Sequence, residues 1–176
     1  FTGGWCDPGQ QANATNSLID SGVDVLSLHQ DCMKTVIETA ERRDVMTIGY
    51  HTDASSLAPN GWITGSEWNW SDLFVDMVKT AQEGNFKGSK YDGKFRGTLA
   101  DNVVKMSPFG ANVPADVIQF VEDRKVELLN GTLNPFKGPV KDQAGAVRIK
   151  EDELLTVEQL EGMDYLVEGV IGSIPK

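Results

Sequence analysis

Both histidines of this chain fall where a short apolar run gives way to a loop, and each is followed two residues later by an aspartate. The two segments read His29-Gln30-Asp31 and His51-Thr52-Asp53. A third segment, Trp5-Cys6-Asp7, follows the opening FTGG, and a pair of indoles, Trp68-Asn69-Trp70, stands just before a helical pattern. Imidazole and carboxylate exchange hydrogen bonds, indoles stack on planar rings, and amide side chains read ring edges with paired donors and acceptors. Such a set suits noncovalent capture of a flat heterocycle in a cleft. Each feature also has a plainer use. Asp7 and Asp31 could serve as helix caps, and either tryptophan could pack into a core or under a loop.

Catalytic chemistry finds little support. No GxSxG presents a nucleophile and no HExxH presents a zinc site. His29 and His51 could ligate a metal together with Asp31 or Asp53, but nothing in the spacing demands it. Gly88-Ser-Lys-Tyr-Asp-Gly93-Lys94 imitates a phosphate-binding loop, yet Phe95 stands where Ser or Thr is needed and no buried strand leads in. The expectation is a binding protein rather than an enzyme, with no cofactor and no metal. A net charge of −10 argues against nucleic acid as a partner, since phosphate binding needs clustered Lys and Arg. No apolar run approaches the roughly 18 residues of a membrane helix. The chain starts at Phe1, which reads as the interior of a larger protein.

These residues need elements to hold them. The first 60 residues repeat one pattern. FTGGW reads as the end of a buried strand, and Asp7-Pro8 opens a helix with Ala14, Leu18 and Ile19 on its inner face, stopped at Gly22. Val23 to Leu28 is a second strand. Asp31 can cap a second helix with Met33, Val36, Ile37 and Ala40 inside, and Val45 to Tyr50 is a third strand. This alternation implies parallel strands. Further on, Trp62–Thr64 is a possible short strand, and Ser71 is expected to cap a helix carrying Leu73, Phe74, Met77, Val78 and Ala81. Two short strands are expected over 94–107. Pro114 should open a helix with Val117, Phe120, Val121 and Leu128 inside. A small hairpin around 142–145, a capping box at Thr156 and Gln159, and a closing strand over 165–171 complete the reading.

Ligands bind outside the carboxyl ends of strands in an open parallel sheet. The His29–Asp31 and His51–Asp53 segments and Trp5 all fall on that rim. Cys6 and Cys32 sit at the ends of strands expected to be neighbours, spaced about 4.8 Å apart. A disulfide is geometrically possible there and would suit an oxidising compartment. Two reduced, partly buried thiols are the alternative.

The stretches GGWCDP, LHQD, IGYHTD, WNW, NVPADV, LNGTLNPFKGPVKDQAG and MDYLVEGVIG run in one order along nearly the whole chain. As a set they resemble the basic membrane protein family of solute-binding lipoproteins, which deliver purines or nucleosides to ABC importers. The resemblance implies an α/β fold of the type I periplasmic-binding-protein kind, here incomplete: a Rossmann-like parallel-sheet lobe plus segments crossing to a mostly missing lobe. It divides the chain into strand–helix repeats of the second lobe (1–61), a crossover strand and helix belonging to the first lobe (62–90), and segments completing the second lobe and hinge (91–176). It implies Trp5, His29, Gln30, Asp31, His51, Asp53 and Trp68 as ligand-binding residues, a small heterocyclic ligand, and an ABC permease as partner. It further implies a periplasmic or cell-surface lipoprotein, and a helix face over 71–83 that needs a partner, such as a second copy. Nucleoside receptors of the family carry Asp at the position of His51, and several carry Lys at that of Trp68. Both departures favour a flat base over a nucleoside. A ligand-sensing domain of the same fold, feeding a signalling receptor, is the alternative function.

Overall fold

A computed structural model describes residues 3–93 and 95–174. Its contacts divide the chain into two compact units that part between Val121 and Glu122. The expected opening strand falls partly on Phe1 and Thr2, outside the described residues, and Gly3–Trp5 is a bend.

The first unit is built on a four-stranded sheet. Helix α1 (Pro8–Asp20) starts as expected: Asp7 is its N-cap, Oδ1 accepting the Gln10 N–H at 2.9 Å, and Pro8 occupies the first turn. Its inner face departs in part from the expected one, since Ile19 packs on the core but Leu18 does not. Gln11 and Thr15 are the buried residues while Leu18 is exposed, because this helix packs on α2 (Met33–Glu41) with its polar stripe inward. Thr15 satisfies its hydroxyl on the Gln11 carbonyl at 2.7 Å. Arg43 fastens the far end of α1, donating to Asp20 at 2.7 Å and to Asn16 at 3.1 Å.

Strand β1 (Val25–Ser27) and β2 (Met46–His51) pair in parallel, as the alternating pattern requires. Their buried face meets α2: Leu26, Val36, Ala40 and Val45 form one cluster, and Ile37, Ala54, Ala58 and Trp62 a second. The expected short strand at Trp62 extends to β3 (Trp62–Trp68), which adds to β2 in parallel. Gly49 lets this happen. A Cβ there would stand 2.3 Å from Cη2 of Trp62, so only hydrogen leaves room for the indole to lie across β2. The Trp62 N–H is satisfied by the Pro108 carbonyl at 3.1 Å.

Strand β4 (Val104–Met106) closes the order β1-β2-β3-β4, antiparallel to β3. It is the only strand of the two expected over 94–107 among the described residues; Thr98 instead folds back onto Asp101 in a turn. Glu67 and Lys105 face each other across β3 and β4 and pair at 3.1 Å. Helix α3 (Trp70–Gln82) takes Asn69, not Ser71, as its N-cap residue. None of its residues is buried, and Phe74, Val75 and Val78 stay exposed.

Helix α4 (Ala115–Asn130) begins just after Pro114, and the division between the units falls within it. Val117, Phe120 and Leu128, expected inside, are exposed. In the second unit β5 (Val140–Lys141) and β6 (Val147–Ile149) form the expected hairpin, with Asp142 Oδ1 accepting the N–H groups of Ala144 and Ala146. The capping box at Thr156 and Gln159 opens α5 (Val157–Glu161). The expected closing strand is reduced to a single bridge between Asp142 and Val167.

Candidate ligand-binding site

The carboxyl ends of β1, β2 and β3 point the same way, because the three strands are parallel. The loops leaving them carry His29–Asp31, His51–Asp53 and Trp68–Trp70, so three of the four sequence segments meet on one edge. The fourth, Trp5, joins them through the backbone: the Asp31 N–H donates to the Trp5 carbonyl at 3.0 Å. The neighbouring cysteines are bonded, a Cys6–Cys32 disulfide with Cα atoms 5.0 Å apart. Gln11, buried on α1, reaches the same corner, its Nε2 donating to Gln30 Oε1 at 3.1 Å and lying 3.4 Å from the Trp5 carbonyl.

His51 is the hub. It ends β2 with φ at 75°, in the left-handed region that costs a non-glycine residue about 1–2 kcal/mol. Both ring nitrogens are engaged. Trp68 Nε1 lies 3.0 Å from His51 Nδ1, and Asp31 Oδ1 lies 2.8 Å from His51 Nε2. An indole N–H can only donate, so Nδ1 accepts and the imidazole proton resides on Nε2, pointing at Asp31. The tautomer follows from this network. His51 thus locks the Trp68 ring and one oxygen of Asp31, and leaves Asp31 Oδ2 as an acceptor on a half-exposed side chain.

Aromatic rings line the edge in an unbroken row. Trp5 meets His29 edge-on at 5.5 Å, and His29 meets Tyr50 at 4.5 Å. Tyr50 touches His51 at 3.8 Å and lies 6.3 Å from Trp68. Trp68 stacks on Trp70 at 5.5 Å, and Trp70 on Phe74, one turn along α3, at 5.7 Å. Trp5 is 61% exposed and Trp70 49%, so both indoles keep about half or more of their surface open.

Not every sequence candidate joins this group. Asp53 Oδ1 accepts the Ser55 N–H at 2.9 Å, a local turn that leads into the short 3-10 helix Ser55–Leu57. Asp31, which could have capped α2, does not: Cys32 is the N-cap residue, and the Asp31 carboxylate is turned to His51. Asp7 is a cap, and its hydrogen bonds from the Gln10 N–H and side chain hold its carboxyl below the usual range. The sequence pattern singles out Trp70 with Trp68, but not Tyr50 or Phe74. Tyr50 reads as one more residue of a β pattern, and Phe74 as one more core position of a helix; that Tyr50 meets Trp68 and Phe74 stacks on Trp70 is a tertiary fact. Among the described residues, no group of three or more His, Cys, Asp and Glu could hold a metal ion.

A family model described as "ABC transporter substrate-binding protein PnrA-like" matches residues 1–133. The chain belongs to this family. It is 33% identical over 172 residues to a purine-binding protein of Brucella abortus, covering 98% of this chain and 47% of that protein. It is 27% identical over 171 residues to a Haloferax volcanii protein named for glucose binding by an ABC transporter, covering 97% of this chain and 40% of that one. The chain therefore spans about half the length of the curated relatives it matches. Among solved structures, a transcriptional activator of the comK gene from Bacillus halodurans superposes with a TM-score of 0.69 at 24% identity, over 77% of this chain and 47% of that one. An ABC transporter solute-binding protein of Conexibacter woesei gives 0.57 at 22% identity, over 76% and 44%. Both likenesses show the fold: an α/β, type I periplasmic-binding-protein-like lobe, present here in part.

Proposed function

We propose that this chain supplies one wall of the ligand cleft of an extracytoplasmic solute-binding protein that captures a purine-like solute for an ABC importer. The observation that carries the reading is the rim of parallel strands. It brings Trp5 and Trp68, with Trp70 stacked on the latter, to the edge that carries the Asp31 carboxylate, whose side chain is 54% exposed. Planar rings stack on indoles, and a ring N–H or exocyclic amine donates well to a carboxylate. Membership of the substrate-binding family supports transport, and the purine-binding relative from Brucella abortus supports the ligand class.

In this reading Trp5 and Trp68 stack on the ligand, Asp31 Oδ2 accepts from it, and His29 and Gln30 complete the wall. His51 acts as a positioning residue, since Trp68 and Asp31 already occupy its two nitrogens. It has no second acceptor to offer a ribose diol, which favours a free base over a nucleoside. The disulfide agrees with an oxidising location outside the cytoplasm. Calorimetric titration of the full-length protein with adenine, hypoxanthine, adenosine and glucose tests the proposal. Tighter binding of the bases is expected; preference for glucose, or for the nucleoside over its base, refutes it.

A further inference from the structure

The rim is assembled from two segments that no strand pairing joins. One, Gly3–Asp7, leads into α1; the other, Leu28–Cys32, leads from β1 into α2. Trp5 belongs to the first and Asp31 to the second, and the residue after each is a bonded cysteine, Cys6 and Cys32. The disulfide therefore lies one residue away from the stacking plate on one side and from the carboxylate on the other. Beside it runs the Asp31 N–H to Trp5 carbonyl hydrogen bond at 3.0 Å, a contact that exists only while the two segments stay adjacent. Cys6 is exposed and Cys32 partly so, which leaves the bond open to attack by a thiolate.

The helices behind the rim are held by other means. At its far end α1 is tied to Arg43 through Asp20 and Asn16. Its first turn is capped by Asp7, and Ile19 packs on the Leu26–Val36–Ala40–Val45 cluster. Breaking the disulfide thus frees the amino-terminal corner of α1 while the core contacts stay in place.

We propose that the Cys6–Cys32 disulfide is a positioning clamp for the ligand rim, and that its reduction by a dithiol opens the rim and weakens ligand capture without unfolding the lobe. The step balances as a thiol–disulfide exchange. A dithiol gives two electrons and two protons, its own sulfurs become a disulfide, and Cys6 and Cys32 leave as two thiols. With the link gone, only noncovalent contacts join the two segments, among them the hydrogen bonds from the Asp31 N–H to the Trp5 carbonyl and from Gln11 to Gln30, and a ligand has to order a looser rim. That ordering cost appears as lost affinity.

The proposal rests on the rim being the ligand site, so its test reads the clamp in two ways. Full-length protein is compared oxidised, after dithiothreitol, and as the Cys6→Ser/Cys32→Ser double variant. Amide hydrogen exchange of 3–7 and 28–33 should quicken at least tenfold in both unlinked forms, while 36–40 and 46–50 stay protected and the far-ultraviolet dichroism is unchanged. Adenine affinity by calorimetry should fall at least tenfold. Unchanged exchange at the rim, loss of protection throughout the lobe, or adenine affinity within twofold of the oxidised protein overturns the clamp. Oxidised protein that binds no purine refutes the ligand reading instead, and the exchange data then decide the clamp alone.

Discussion

Replacing Asp31 by Asn tests the wall where its chemistry is most specific. The two side chains have nearly the same volume, and the Asn carbonyl oxygen can still accept the His51 N–H that Asp31 Oδ1 accepts at 2.8 Å. Packing and the His51–Trp68 contact at 3.0 Å should therefore survive. What changes is the atom that faces the ligand: the charged Oδ2 acceptor becomes an Nδ2 amide, which donates and cannot accept. The variant thus removes a hydrogen bond to a charged group, which contributes about 1.5–3 kcal/mol. The Asp31 side chain is 54% exposed, so part of the gain on binding is offset by lost hydration. The lower end of that range applies, about 1.5–2 kcal/mol, or roughly 10- to 30-fold in affinity at 1.4 kcal/mol per decade. Calorimetry of the full-length protein with adenine measures it, and Glu38→Gln, which removes a surface charge paired with Lys34 at 3.7 Å, controls for net charge. Asp31→Asn within twofold of wild type, or an equal loss in Glu38→Gln, would refute the role given to Asp31.

Three stability variants probe the framework that holds the rim. Gly49→Ala places a Cβ 2.3 Å from Cη2 of Trp62 and should cost about 1–3 kcal/mol, seen as a lower midpoint in thermal melts. A midpoint equal to wild type would mean the indole can move aside. Thr47→Val removes a fully buried hydroxyl that has no hydrogen-bond partner among the described residues, so stability should hold or rise by up to about 1 kcal/mol in urea titrations. Glu41 carries the pH test. Burial raises its pKa, but hydrogen bonds from the Gly61 N–H at 2.8 Å and from both nitrogens of Asn60 outweigh this and hold it below the ordinary 4.5. A carboxyl lowered in the folded state stabilises above its unfolded value, and that contribution is lost as pH falls through the folded one. Glu41→Gln should cost about 1 kcal/mol at neutral pH, and its deficit should shrink below about pH 4.5. A deficit independent of pH argues that shape, not charge, holds the 60–61 turn.

Much of the wall was legible in residue order. Asp7-Pro8 fixes the start of α1 because an N-cap acceptor and a preset φ act locally, whatever lies around them. The alternation of apolar runs with helical spacing dictates parallel strands, and parallel strands put the segments after each on one edge. The grouping of His29–Asp31 and His51 follows from that alone, whereas Trp68 needs β3 to run its full length beside β2, and Trp5 needs the Asp31 N–H that its carbonyl accepts. Other features depend on what comes within reach in space. Asp31 has the type and position of a cap, yet it serves His51, twenty residues away, because the ends of β1 and β2 lie side by side. Asp53 looked equivalent to Asp31 and closes a local turn instead. Cys6 and Cys32 could equally have been thiols until the bend before α1 met the loop before α2 at 5.0 Å. Local chemistry thus set the elements and the edge they share. Only tertiary packing chose among partners of similar type, since a carboxylate, a ring nitrogen or a thiol bonds whichever suitable group the fold brings to it.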